Sequence, residues 1–281
     1  MVAGNCTMLG WADPCSLACP RSTTQRRCGS FRGSTLPSTG SRPTITVWLH
    51  VGARPCALCG VMAEPLLAGI AGTYHHYAEP RHSTTAITEE AVARIQSHGA
   101  AGGDDPLFLY VAYTAAHAPL EPLPHDLDNC RHFNHSWRQK FCGLVTGLDR
   151  GVGKLVAAAR EHLGEDTVIV FTSDNGGAPW FGGLNEPLRS GKTTPFQGGV
   201  RVPTFVLDMS PDKRFFGGGG RQYEGLAHMS DWLPTLATMA GTPKEELDAM
   251  GLDGVDLGPA IATGGDSPRS EMLLEMYYHS R

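Results

Sequence analysis

Two uncharged apolar runs flank one long amphipathic stretch, and that order constrains the fold more than any other feature of the chain. Leu107 to Tyr113 and Thr167 to Thr172 are strand-length runs without a charged residue. Such runs predict strands buried on both faces. Between them Phe141, Leu144, Val145, Leu148, Val152, Leu155, Val156, Ala159 and Leu163 recur at spacings of three and four. That spacing predicts a helix with one apolar face, and Gly164 is placed to end it. Strand, helix, strand in this order implies a βαβ unit and a parallel sheet. Upstream, Thr88-Glu89-Glu90 predicts a helix start, with Ala91, Val92 and Ile95 sharing a face. Downstream, Val200 to Leu207 predicts one more strand. A helix around Asp231 to Leu236 is opened by Ser230 or Asp231, with Pro234 in its first turn, where proline is tolerated.

The first 75 residues differ in character. They are rich in Arg, Ser, Thr, Gly, Pro and Cys and contain no lysine. No steady period runs through residues 1–45, and this segment is expected to be poorly ordered, or ordered only against something else. Pro43 to Val51 could form one short strand. Six of the eight cysteines lie in the first sixty residues, with Cys130 and Cys142 apart from them. An even count fits disulfides in an oxidising compartment. Cys15, Cys19, Cys56 and Cys59 form two pairs that could suggest zinc. Their separation exceeds that of compact zinc modules, and no histidine stands at ligand spacing. The net charge of −5 gives no electrostatic reason for nucleic acid or an anionic membrane as partner, and no apolar run is long enough for a membrane span. The first residues lack the basic start and apolar stretch of a signal peptide.

In an open parallel sheet, ligands sit beyond the carboxyl ends of the strands. After the first predicted strand comes Ala116-His117-Ala118-Pro119, and after the second Ser173-Asp174-Asn175-Gly176-Gly177. Asp174 and Asn175 offer two adjacent hard oxygen ligands, which suit Ca²⁺ or Mg²⁺ better than zinc or copper. The same residues equally form an ordinary strand-capping turn. His117 reads as a structural histidine, or as a proton or hydrogen-bond donor to an anion. Lys192, after Arg189-Ser190-Gly191, reads as a solvated charge or as a point charge on an anionic substrate. His125, His132 and His135 lie in a polar loop, where solvent exposure is expected over a metal site.

Taken together, these segments resemble the sulfatase family of the alkaline phosphatase superfamily. The stretches that carry the likeness are Pro106 to Tyr113 with His117 to Leu120, Thr167 to Gly177, Pro187 to Lys192, Phe196 to Arg201, His228 to Leu236 and Leu252 to Leu257. The nearest likeness is to the arylsulfatase branch around the N-acetylgalactosamine-4-sulfatases. The resemblance implies an α/β sandwich with a mixed, largely parallel sheet, with residues 76–281 as the rear part of a sulfatase domain and residues 1–75 unassigned. It implies sulfuric ester hydrolysis, with a sulfated small molecule or a glycosaminoglycan as partner. It also implies Asp174 and Asn175 as calcium ligands, and His117 and Lys192 as catalytic groups at the sulfate. Superfamily phosphoesterases usually carry Asp-His-Gly where this chain has Asp174-Asn175-Gly176, so sulfate is favoured over phosphate.

The chain also departs from the family pattern. Sulfatases use a formylglycine made from the cysteine of Cys-x-Pro-x-Arg, and Cys19-Pro20-Arg21-Ser22 has these letters in the wrong spacing. The paired aspartates and the Gly-Lys-Trp-His-Leu-Gly motif are absent from the sequence. One carboxylate and one amide fall short of the six to eight oxygens of a calcium site. The expectation is therefore a truncated sulfatase product with no nucleophile. Its alternative is a non-catalytic protein that binds a sulfated glycan or a cation through His117, Lys192 and Arg189. The family implies a lysosomal or secreted location, and the sequon Asn134-His135-Ser136 agrees.

Overall fold

The computed structural model describes residues 81–102 and 105–274 in full, and four strands before them as backbone: β1 (Val2–Gly4), β2 (Ile45–Val51), β3 (Leu67–Ile70) and β4 (Thr73–His76). α1 (Ser83–Ala101) and β5 (Leu107–Tyr113) follow, then α2 (Ser136–His162) and β6 (Thr167–Ser173). The rest is α3 (Gln197–Val200), β7 (Thr204–Asp208), α4 (Trp232–Met239), α5 (Lys244–Ala249) and α6 (Gly258–Thr263). Five strands form one sheet in the order β1-β7-β6-β2-β5. β2 runs parallel to both β5 and β6, while β7 is antiparallel to β6 and to β1. β3 and β4 pair antiparallel in a separate hairpin. The predicted βαβ unit exists, but its two strands are not neighbours: β2, the short strand expected at Pro43 to Val51, lies between them.

Side-chain alternation along β6 explains the two layers. Ile169 points into a core made by Ala91 and Ile95 of α1, Leu144, Leu148, Leu155, Ala158 and Ala159 of α2, and Val111 and Tyr113 of β5. Val168 and Val170 point the other way, onto Val206, Phe216, Trp232, Leu236, Leu257 and Ile261. β6 is thus buried on both faces, as its continuous apolar run predicts. β5 is not. Phe108 and Tyr110 are exposed, because β5 ends the sheet and no described element covers that face.

Two boundaries and one helix face differ from expectation. α1 starts at Ser83, five residues before the predicted start. Ser83-Thr84-Thr85 is a poor helix former, yet Thr84, Ala86 and Thr88 are buried. The Thr88 hydroxyl is satisfied by the Thr84 carbonyl at 2.7 Å and the Tyr113 hydroxyl at 2.9 Å. Residues 197–200 form a helical turn, so β7 begins only at Thr204. On α2, Val145 faces solvent, while Gly143, Gly147 and Gly151 form the buried edge. A Cβ at Gly151 would meet the Thr88 hydroxyl, and one at Gly143 would press on Pro122. α2 therefore lies close against its neighbours because that edge has no side chains. Gly164, at φ +75°, follows the end of α2, as predicted.

Cys130 and Cys142 form a disulfide that ties the loop before α2 to the helix. The paired cysteines considered for zinc, Cys15, Cys19, Cys56 and Cys59, lie outside the described residues. Among the described residues, no helix is long and apolar enough to cross a membrane.

The second layer is pinned by Asp231, which opens α4 and is fully buried. Its carboxylate accepts from the His228 and Val255 backbone N–H groups and from Nε and Nη2 of Arg269. His228 beside it accepts from Ser230 N–H at Nδ1. Burial, and then the Arg269 charge, hold the imidazole below its ordinary value of 6.5, against the weaker opposite pull of Asp231 and Asp253. A histidine with a depressed folded value is protonated first in the unfolded chain. Its stabilising effect is complete above about pH 6.5 and is lost as pH falls through that value towards the folded one. Urea unfolding at pH 7.5 and 5.5 is expected to show lower stability at the acid pH. His228→Asn should reduce that pH dependence, and an unchanged slope would exclude His228 as its source.

Candidate active site at the carboxyl edge of the sheet

The register of the parallel strands assembles the site. Tyr113, Val51 and Ser173 are direct partners across β5, β2 and β6. The two predicted loops therefore leave the sheet at one level, on strands separated by one intervening strand, or about 10 Å. His117 sits four residues beyond Tyr113, and Asp174 one residue beyond Ser173. His117, Asp174, Asn175 and Lys192 are all half-buried.

The His117 loop is held by its own turn. His117 N–H donates to the Thr114 carbonyl at 2.9 Å, and the Thr114 hydroxyl meets that of Ser83 at 2.8 Å, at the start of α1. Nδ1 of His117 lies 2.7 Å from the Ala118 carbonyl. A carbonyl only accepts, so Nδ1 carries the proton. Nε2 is then bare in the neutral ring, and it donates to an anion only in the imidazolium form.

The Asp174 loop is built by backbone contacts. Asp174 Oδ1 accepts the Asn175 N–H at 2.8 Å, and Asn175 Nδ2 donates to the Gly176 carbonyl at 2.9 Å. Gly176 N–H donates to the Gly199 carbonyl at 2.9 Å, bringing α3 against the loop. Lys192 N–H donates to the Gly177 carbonyl at 3.2 Å, so the lysine is tied directly to the Asp174-Asn175 loop. Ser190 and Thr193, on either side of Lys192, hold φ values of +68° and +73°. For a β-branched residue such as Thr193 that conformation is costly, and the surrounding backbone must impose it.

Asp174 also acts towards β5. The Tyr110 phenol, although partly exposed, is pushed above its ordinary value by the partial loss of water around it first and then by the Asp174 carboxylate. An open basin lined by Glu165, Asp166, Asp212 and Arg214 lies at the opposite end of β6 and takes no part in this edge.

Two expectations are met and one is absent from the described residues. His125, His132 and His135 are exposed. Asn134 of the sequon is exposed just before α2. No group of three or more His, Cys, Asp or Glu side chains that could hold a metal occurs among the described residues. Asp174 and Asn175 have the chemistry of calcium ligands, but two oxygens from two residues are one side of a shell that needs six to eight. They do not make a calcium site alone.

Asn185 also joins this edge, although its letter marks no such role. Its Oδ1 accepts the Gly177 N–H at 2.7 Å, and its Nδ2 donates to the carbonyls of Gly177 at 2.9 Å and Ser190 at 3.1 Å. An asparagine before Glu186-Pro187 reads as an ordinary turn former, and nothing in the letters shows which backbone groups it meets.

The sulfatase family model matches residues 33–242. The chain belongs to the sulfatase family. The match begins well before residue 75 and takes in β2. Mouse Arylsulfatase J is 34% identical over 170 residues, covering 60% of this chain and 27% of that protein. Human Arylsulfatase A is 35% identical over 182 residues, covering 62% of this chain and 32% of that protein. The chain thus spans about a third of the length of these sulfatases. Among solved structures, the crystal structure of Ps i-CgsB in complex with k-i-k-neocarrahexaose aligns at a TM-score of 0.62 and 33% identity, covering 68% of this chain and 41% of that one. The likeness spreads across several sulfatases and does not single out the N-acetylgalactosamine-4-sulfatases. The fold is that of the sulfatase α/β sandwich, with a mixed sheet of the predicted kind.

Proposed function

We propose that this chain carries one edge of a sulfate-ester site. In this reading Lys192 and protonated His117 contact the sulfate, while Asp174 and Asn175 supply two oxygens to a Ca²⁺. The observation that carries it is the shared level of Tyr113, Val51 and Ser173, with the Lys192 amide bonded to the loop of Asp174. An ammonium point charge and an imidazolium N–H from loops at one edge of the sheet favour a sulfate dianion or a sulfate ester over a neutral ligand. The activity is sulfuric ester hydrolysis, at the level of the family. The formylglycine that attacks sulfur in that chemistry has no matching cysteine motif in this sequence. The chain as given is therefore expected to bind without turning over. The Cys130–Cys142 disulfide and the exposed Asn134 sequon support a lysosomal or secreted setting.

The test combines calorimetry with an aryl sulfate assay on the full chain. Inorganic sulfate is expected to bind, and Lys192→Ala to weaken it about tenfold, the size of one lost charge-assisted contact. Asp174→Ala should weaken Ca²⁺ to a similar degree. Turnover of the aryl sulfate that Asp174→Ala abolishes would overturn the inactive reading.

One observation favours a second reading, a non-catalytic protein that retains a sulfated glycan. The Arg189 guanidinium stacks on the Phe196 ring, 3.8 Å from its centroid, at the exposed rim beside Lys192. Stacking holds its N–H fork outward for a second anionic group. Arg189→Ala weakening a sulfated sugar but not inorganic sulfate, without turnover of the sugar, would support this reading, and hydrolysis of that sugar would exclude it.

A further inference from the structure

We propose that Asn185 is a positioning residue that sets the distance between the Asp174-Asn175 loop and Lys192. The inference rests on the proposed roles of those residues and adds what holds them in register.

The carboxamide acts as a clip. Both N–H groups of Nδ2 are used, on the carbonyls of Gly177 and Ser190, and Oδ1 takes the Gly177 N–H. Asn185 thereby pairs with both polar groups of Gly177 and reaches the loop of Lys192 with the same Nδ2. The Gly177 carbonyl is shared, since it also accepts the Lys192 N–H. Only one amide orientation satisfies this set, because the flipped group would set Nδ2 against an N–H and Oδ1 against two carbonyls.

The surroundings leave no slack. A Cβ on Gly191 would lie 2.6 Å from the Gly177 carbonyl and 2.8 Å from Asn185 Nδ2. One on Gly177 would lie 3.3 Å from Asn185 Oδ1. The Gly177 carbonyl is therefore the one point at which the clip, the metal-side loop and the Lys192 backbone meet. A shift at Asn185 must appear at Lys192.

Asn185→Asp keeps the shape but replaces the donating nitrogen by an acceptor oxygen facing two carbonyls, and Asn185→Ala removes the clip without that repulsion. Two measurements on the full chain decide the matter. The first is inorganic sulfate titration of wild type, Asn185→Asp, Lys192→Ala and the double variant. Asn185→Asp is expected to weaken sulfate about tenfold, with no further loss on the Lys192→Ala background, because it acts through that lysine. The second is amide hydrogen exchange. The Lys192 N–H is expected to exchange about tenfold faster or more in both Asn185 variants, while the Leu155 N–H in α2 stays protected.

Wild-type affinity in Asn185→Asp, or an equal loss on the Lys192→Ala background, overturns the inference. Loss of Leu155 protection in both variants also overturns it, since Asn185 would then support the whole domain. If Lys192→Ala binds sulfate as wild type does, the proposed function fails. Exchange at Lys192 then still decides the positioning role: faster exchange sustains it, and unchanged exchange overturns it.

Discussion

Arg269→Ala is expected to lower the stability of the domain by about 3–5 kcal/mol, the cost of leaving a buried charge without its partner. Asp231 is fully buried, and Arg269 meets it through Nε at 2.9 Å and Nη2 at 2.5 Å. The remaining donors are the two backbone N–H groups of His228 and Val255, which do not neutralise a carboxylate. Arg269 also donates to the Asp253 carbonyl, so its loss removes one of the ties of the final described segment and leaves the Ser267 hydroxyl on the Leu226 carbonyl. Arg269→Lys keeps the charge but not the planar fork and should fall between wild type and alanine. Urea unfolding reads the difference. A loss below about 1 kcal/mol, the range of an exposed pair, would mean that the ion pair is not buried in solution.

Gly176→Ala is the second large effect, and it joins stability to the site. A methyl group there would overlap the Gly198 carbonyl oxygen and sit 2.7 Å from its carbon. That carbonyl cannot retreat easily. Gly198 N–H is bonded to the Arg189 carbonyl, and the Gly199 carbonyl accepts the Gly176 N–H itself. The cost is expected to be about 3 kcal/mol, the upper end for overpacking, because backbone rather than a flexible side chain must move. The same displacement separates Asp174-Asn175 from α3 and from Lys192, so sulfate and Ca²⁺ binding should fall with stability. Gly153→Ala is the control. Its Cβ would meet nothing within 4 Å on the outer face of α2, and removing a helical glycine should raise stability by about 0.5–1 kcal/mol. Calorimetric melting of both variants separates them, and similar melting temperatures would show that the Gly176 contact is slack.

Residues whose environment is uniform were legible. β6 touches a core on each side, so its run of apolar letters is unbroken, and α2 alternates between core and solvent at a steady helical period. Residues whose environment changes along one element were not. β5 reads like β6 but ends the described sheet, and Phe108 and Tyr110 are exposed there. The start of α1 is hidden in Ser83-Thr84-Thr85, whose weak helix propensity is overridden by burial against β5 and α2.

What the sequence by itself determined was the order α1, β5, α2, β6, β7 and α4, the likeness to the family, and the chemical types proposed for the site: a carboxylate and an amide, a histidine and a lysine. Tertiary structure alone decided how these meet. It inserted β2 between the two predicted strands, which sets the gap between the His117 and Asp174 loops. It also chose Asn185 as the clip and Gly176 as the point of closest approach. The physical reason is that the decisive contacts are made to backbone N–H and C=O groups. Every non-proline residue carries both of them, so no letter in a sequence marks the ones that are used.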